Sequence, residues 1–390
     1  MNPQPPTTGC RPPLVILGAS CRFAAESAAR AGWHVYAADL FGDSDLAAVA
    51  AATRRVDHYP DGLVGAAAAF PDAPWCYTGA VENHLDVIDQ VTMARPLAGN
   101  ASAAVRLVRD PGALARVVHA AGLRYPETRT TAADVPVDGS FLRKPAASAG
   151  GRGITPWTGG RADDAHRFVW QRRIAGEPVS AVFALTRDAG RLVGLSRQLV
   201  GPQWCHAAPF AYGGSIRIPL DAVSPVVREH LAALAAALAS RCGLMGIVGV
   251  DAVLEPDGRL TVIEVNPRPT ASAELCERAT GESIMATHLA AFGYRSPAPA
   301  HPGIETIWSK AVVFAAAPVT VDARLLEHLG ALADPWTCSD GRPALADIPR
   351  PGHAIRAHAP VITVFACGRT ESASAAELRR RVDAVRAITG

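Results

Sequence analysis

The chain has 390 residues, enough for two or three domains with a sizeable core. Its formal net charge of +2, with no local Lys/Arg cluster, excludes the electrostatic footprint that nucleic-acid binding requires. The longest apolar stretch, Leu231–Ala239, is too short to cross a bilayer, and the eight cysteines form no C-x-x-C pair, so a soluble, reduced, cytoplasmic protein with no membrane partner is expected. Residues 1–12 are Pro/Thr-rich, lack the charged start and apolar run of a signal peptide, and read as a disordered tail. Pro13–Leu17 then reads as a buried strand, Phe23–Ala31 as a helix ended by Gly32, and His34–Ala38 as a second strand closing at Asp39. Strand–helix–strand order predicts a parallel, Rossmann-like sheet. Only one glycine of G-x-G-x-x-G is present, which favours a substrate crevice over a dinucleotide site. Trp75-Cys76-Tyr77 is the next strand, and Glu82-Asn83-His84 opens the helix that follows. Polar residues there either face a ligand at the carboxyl end of a parallel strand or cap the helix, and both readings stand. Ala101–Gly122 is helical, with a break at Asp110-Pro111-Gly112.

Phe141 to Gly153, FLRKPAASAGGRG, is a strand ending on Lys144 and a loop holding Ser148, Gly150, Gly151 and Gly153. Glycines let a backbone approach phosphates and turn N–H groups toward them, while a lysine supplies a point charge. Lys144 and Lys310 are the only lysines in the chain, which singles out the one standing before this loop. Phe168–Leu185 reads as strand, Ala-Gly turn, strand. Two more strands follow in Arg191–Pro219, separated by an aromatic loop with Trp204, His206, Phe210 and Tyr212 that either lines a pocket or simply packs. Val223–Cys242 is an Ala/Leu helix with buried i, i+3, i+4 spacing.

Gly243 to Thr270 carries two apolar runs around Pro256-Asp257-Gly258, the pattern of a β-hairpin. Glu264 and Asn266 are two apart and share a face, and Asp251 lies opposite them if the strands pair across the turn. Two carboxylates and an amide oxygen make a hard-oxygen site of the kind Mg²⁺ prefers, completed by water and phosphate. The flanking Ile, Val and Leu residues argue against a solvent-facing hairpin, because an unpaired buried charge is very costly. Arg268, next to this site, suits bidentate contact with a carboxylate or phosphate. Helices are expected over Ala271–Arg278 and Gly281–Ala291, with Glu274 either capping the first or facing substrate. Beyond residue 303 the chain reads as strand Ile307–Ala315, β elements at Asp347-Ile348-Pro349 and Pro360–Ala366, and a closing helix over Ala375–Ala387, with no catalytic constellation.

The spacing D-x12-E-x-N-P-R resembles the metal hairpin of the ATP-grasp superfamily, and K-P-x-x-S-x-G-G-x-G-I at Lys144–Ile154 resembles its phosphate loop. Gln171-Arg172-Arg173-Ile174 with Gly176-Glu177 is similar to the adenine hinge and ribose-binding acid, and YTGAVEN followed by PLAGN resembles the end of the preATP-grasp domain. One departure stands out: Pro111 replaces the lysine expected after an Asp, leaving Arg106 or Arg109 to substitute. The resemblance implies an α/β fold with α+β lobes: a preATP-grasp domain at 13–100, an ATP-grasp domain at 101–302 (lobes 101–170 and 171–302) and a β-rich C-terminal subdomain at 303–390. It implies ATP contacts from Lys144, Ser148, Gly150, Gly151, Gly153, Gln171, Arg172, Arg173, Ile174 and Glu177. Asp251, Glu264 and Asn266 would hold Mg²⁺ or Mn²⁺. Lys144 and Arg268 would act in catalysis, and Glu82, Asn83 and Arg268 would contact substrate. The implied reaction is ADP-forming ligation of a small-molecule carboxylate and an amine through an acyl phosphate, with a homodimer admissible. Related predicted carboligases, some tied to methanopterin- or methanofuran-type cofactors, suggest an amino acid such as glutamate as the carboxylate. Carboxylation with bicarbonate, small-molecule phosphorylation and nucleotide binding without turnover are the alternatives.

Overall fold

Leu14, Val15, Ile16 and Leu17 are all fully buried, as an apolar run in a sheet covered on both faces must be. The computed structural model describes residues 11–160, 167–298, 306–336 and 338–389. Most of the expected N-terminal tail therefore lies outside the described residues. Pro13–Leu17 sits inside a parallel four-stranded sheet ordered Ala52–Arg55, His34–Asp39, Pro13–Leu17, Trp75–Tyr77. Ala52–Arg55 and the helices Ser44–Val49 and Gly62–Ala68 occupy a stretch with no assignment from sequence. Asp39 accepts the N–H groups of Cys21 at 2.9 Å and Gly42 at 2.7 Å, so it anchors the loops at the strand ends.

Glu177–Leu185 lies inside an eight-stranded antiparallel sheet. Its order is Leu260–Asn266, Gly246–Leu254, Glu177–Leu185, Gly190–Val200, Tyr212–Ile218, Ile307–Phe314, Pro360–Gly368, Leu345–Ala346. The last three of these come from the C-terminal segment, which extends the same sheet and packs Glu371–Thr389 on it. Two details differ from the sequence reading there. A helix over Ala323–Ala333 had no assignment, and Asp347-Ile348-Pro349 is a loop, with Asp347 at φ 56, and not a β element.

A smaller antiparallel sheet orders Thr128–Arg129, Phe168–Arg172, Phe141–Pro145 and Thr155–Pro156. The strand–turn–strand of Phe168–Leu185 thus divides between two sheets. Gly176 makes the crossing at φ 153, where a Cβ would lie 2.4 Å from the Leu254 carbonyl oxygen. The helix Pro225–Cys242 begins as its sequence dictates, with the Ser224 hydroxyl accepting from Val227 N–H at 3.3 Å, and ends at Gly243 with φ 66. Its Leu231, Leu234 and Leu238 pack on Phe183, Val248 and Val250 of the large sheet, in the core behind the hairpin. Pro111 has a local role too: Asp110 caps the helix Pro111–Ala120 through the N–H of Ala113 at 2.6 Å.

Candidate active site

The hairpin forms as its sequence predicts. Gly246–Leu254 and Leu260–Asn266 pair antiparallel, with Asp251 opposite Glu264, Gly249 opposite Asn266, and a bulge just after Asp251. Asp251 Oδ2 accepts from Asn266 Nδ2 at 3.0 Å, and its Oδ1 accepts from Gln198 Nε2 at 2.8 Å. Only neutral donors hold it. Burial, then the nearby Glu264 carboxylate, pushes Asp251 up to about 6. Glu264 is 36% exposed and accepts from Arg109 Nη1 at 2.8 Å. Arg109 also contacts Asn83 Oδ1 and donates to the Ala146 carbonyl at 3.0 Å. Of the two arginines proposed to replace the missing lysine, Arg109 reaches the site, while Arg106 is exposed.

Lys144 ends the strand Phe141–Pro145 and donates to Gln171 Oε1 at 3.0 Å. Beyond it Gly150, Gly151 and Gly153 have φ of 63, 76 and 75, a left-handed backbone that glycine adopts without strain. The loop is latched from two sides: Tyr212 N–H donates to Gly150 O at 3.0 Å, and Asn83 Nδ2 donates to Ser148 O at 3.1 Å. A Cβ on Gly151 would lie 1.9 Å from the Phe210 carbonyl oxygen, so the aromatic loop is part of the loop's seat.

Lys144, Ser148, Gly150 and Gly151 line one cavity of about 790 Å³, together with Gln171, Arg172, Arg173 and Ile174 of the hinge. Asp251, Glu264, Asn266 and Arg268 line the same cavity. Residues as far apart in sequence as Lys144 and Arg268 are thereby brought to one space. Three expectations come out differently. Gly153 packs against the Pro145 ring outside the wall. Glu177 is paired with Arg197, which also meets Glu371, and does not line the cavity. The N–H groups of Arg172 and Arg173 are already donated to Glu127 and Ser140, both at 2.8 Å, so a base at this edge would meet Ile174.

Residues 82–272 match the family model for the ATP-grasp domain. That stretch is an ATP-grasp domain. No curated protein matches the chain. Among solved structures it is similar to a carboxyaminoimidazole ribonucleotide synthase from Aspergillus clavatus complexed with ATP, at 16% identity and TM-score 0.69, covering 97% of this chain and 99% of that one. An L-amino acid ligase from Bacillus licheniformis matches at 15% identity and TM-score 0.67, over 96% of this chain and 98% of that one. The biotin carboxylase domain dimer of a Hydrogenobacter thermophilus 2-oxoglutarate carboxylase, in complex with MgADP, ADP and bicarbonate, matches at 13% identity and TM-score 0.65, over 95% and 89%. These likenesses establish the ATP-grasp fold over nearly the whole chain.

Just outside the cavity of the ATP-grasp domain, Glu82 occupies the short turn Val81–Asn83 after strand Trp75–Tyr77, and its Oε1 accepts from Arg268 Nη2 at 2.6 Å. The carboxylate caps no helix; it holds the arginine that reaches the wall. Burial acts against the Arg268 charge, but Glu82 outweighs it and the proton is held more tightly than usual. Glu82 and Asn83 therefore stand behind Arg268, Arg109 and the glycine loop rather than on the cavity surface. At the opposite end the cavity is lined by Arg22, Asp43, Glu274, Lys310 and Asp347, of which the sequence reading offered a site role to Glu274 alone. Glu274, read as a cap or a substrate contact, pairs with Arg22 and with Lys310 Nζ at 3.0 Å. Burial would raise its pKa, yet these two cations hold it well below the ordinary carboxylate range. The rarity of lysine was the one available signal for Lys310.

Proposed function

We propose that this protein is an ATP- and Mg²⁺-dependent carboxylate–amine ligase that forms ADP through an acyl phosphate. The observation that carries the reading is one cavity lined by Lys144 and the glycine loop together with Asp251, Glu264, Asn266 and Arg268. The likeness to an L-amino acid ligase supports it. A carboxylate oxygen attacks the γ-phosphorus of ATP and ADP departs. The amine nitrogen then attacks the carbonyl carbon of the acyl phosphate, phosphate leaves, and the nitrogen gives up a proton. Lys144 reaches the phosphates as a point charge, and Arg268, held in place by Glu82, grips the carboxylate. The latched glycine loop excludes water from the acyl phosphate. Asp251, Glu264 and the Asn266 amide oxygen fit Mg²⁺, and Mn²⁺ accepts the same donors: they are hard oxygens, and Asp251 is a half-buried carboxyl met only by the neutral donors of Gln198, Asn266 and Ser180. Bound there, the ion supplies charge screening for the phosphates.

An ADP-release screen over carboxylate–amine pairs, glutamate included, tests the reading. Turnover is expected for a matched pair and is expected to vanish in Lys144→Ala and Glu264→Gln, with circular dichroism unchanged. Wild-type rates in Glu264→Gln would remove the metal assignment. ADP release that needs bicarbonate and no amine would replace ligation by carboxylation. The biotin carboxylase neighbour is described as a dimer, and gel filtration of this chain tests the homodimer expectation.

A further inference from the structure

Around Arg22, at the end of the cavity away from the hairpin, every carboxylate but one is committed to a donor. Asp39 accepts from Cys21 and Gly42 N–H groups at 2.9 and 2.7 Å. Asp45 accepts from the N–H groups of Asp347 and Ile348 at 2.8 and 3.1 Å. Asp347 accepts from Arg22 Nε at 3.0 Å and from the Thr363 hydroxyl. Glu274 holds Arg22 and Lys310. Asp43 lies among them, 4% exposed, and its carboxyl makes no hydrogen bond or ion pair among the described residues. It stands at the N-cap of helix Ser44–Val49 but does not cap it, and lines the cavity instead. An isolated buried carboxylate is expensive unless a cation meets it. Burial, then repulsion from Asp347, Asp39 and Asp45, pushes Asp43 up to about 9, against the attraction of Arg22.

We propose that Asp43 is a specificity residue for a cationic substrate: its carboxylate binds an organic ammonium or guanidinium group that takes no part in bond formation. The inference rests on the ligase reading for the word substrate. An ammonium held by a carboxylate has no free lone pair, so the bound group is not the attacking nitrogen. The substrate therefore carries a positive charge besides its reacting groups. The nearby walls favour an organic cation over a hydrated metal ion. Phe41, two residues before Asp43, and Pro349, whose carbonyl accepts from the Ser44 hydroxyl at 3.4 Å, are apolar cavity residues, and the neighbouring carboxylates already accept N–H or O–H donors. No group of three metal-binding His, Cys, Asp or Glu side chains occurs among the described residues.

The test is calorimetric titration of the full chain, without ATP, using agmatine, putrescine and L-lysine, with butanol as neutral control and MgCl₂ as metal control. At least one organic cation is expected to bind, and Asp43→Asn is expected to weaken it by about tenfold or more, the range of a charge-assisted hydrogen bond. ADP affinity should be equal in both proteins. A melting temperature at or above wild type shows that the variant folds, since the substitution removes an uncompensated acid. Agmatine affinity should rise between about pH 7 and 9 in wild type, as ionising Asp43 becomes easier, and stay flat in the variant. The variant retains the other groups facing the site, Asp39, Asp45, Asp347, Glu274, Arg22, Lys310 and His353, so a slope that persists belongs to them and overturns the assignment. It is equally overturned by failure of all three cations to bind, by equal affinity in both proteins, or by Mg²⁺ binding that the variant loses. Cation binding that persists while the ADP-release screen finds no ligation removes the ligase reading and leaves the site. Ligation of uncharged substrates with no cation binding removes only the inference.

Discussion

At the hairpin end of the cavity Asp251 is held by two amides and Glu264 is 36% exposed, paired with a single arginine. At the other end Arg22 and Glu274, with side chains 2% and 3% exposed, are locked to each other and to Lys310 and Asp347. The first arrangement leaves carboxylate capacity for an incoming ligand. The second consumes almost all of it in pinning together helix Arg22–Arg30, helix Ala273–Thr280, strand Ile307–Phe314 and the loop at Asp347. On the proposed reading, function and stability are divided between two charged clusters of one cavity, with Asp43 as the exception inside the closed one.

The division predicts opposite responses to removing one acid from each end. Glu274→Ala strands Lys310 without an ionic partner and takes from Arg22 the acid that binds two of its nitrogens, leaving it Asp347 and Glu26; it should lower unfolding free energy by about 3–5 kcal/mol, measured by denaturant titration. A loss below about 1 kcal/mol, the range of an exposed pair, would erase the contrast. Glu264→Gln should do the reverse. Its ADP release falls by about a hundredfold or more, equivalent to about 2.7 kcal/mol of barrier, while the denaturation midpoint barely moves.

Gly151→Ala sharpens the comparison at the glycine loop of the hairpin end. A left-handed backbone costs a non-glycine residue about 1–2 kcal/mol, and the new Cβ would meet the Phe210 carbonyl. The expected result is a raised KM for ATP, by about tenfold for that cost, with the global melting temperature little changed. An unchanged KM would mean that the loop does not cover the nucleotide.

The last prediction concerns an uncharged pin, whose effect shows only in acid. His288 accepts from Ile247 N–H through Nδ1 at 3.0 Å and meets the Ala98 carbonyl through Nε2 at 2.9 Å, joining the start of the hairpin to the segment beside strand Trp75–Tyr77. Burial lowers its pKa from 6.5 to about 4, despite the Ala98 contact. The unfolded chain therefore binds the proton more readily in that window, and the contribution to stability is lost as pH falls from 6.5 toward 4. The denaturation midpoint of wild type should drop relative to His288→Gln over this range, and parallel curves would contradict the assignment.

The parts of the site that could be read from sequence are those made by neighbours along the chain. Asp251 and Glu264 meet because a short turn folds one strand on the next, and Lys144 precedes its glycine loop directly. Arg109 was available only as one of two alternatives, since helix Ser102–Arg109 carries two arginines and packing alone selects one. The Arg22–Asp347 contact spans 325 positions, and each partner has an ordinary local reading as a helix, strand or loop residue. The Glu177 pairing was out of reach for a related reason: its motif suggests a ribose contact, and only the sheet brings Arg197 of the adjoining strand against it.

The sequence by itself determined the hairpin, the phosphate-type loop, the parallel opening sheet and the long helix behind them, because periodicity, turn chemistry and caps act over a few residues. Only the tertiary structure decided that the C-terminal strands extend the central sheet, that Glu82 stands behind Arg268, and that Asp43 is left without a partner. Burial and charge pairing depend on which distant segments pack together, and no local pattern carries that information.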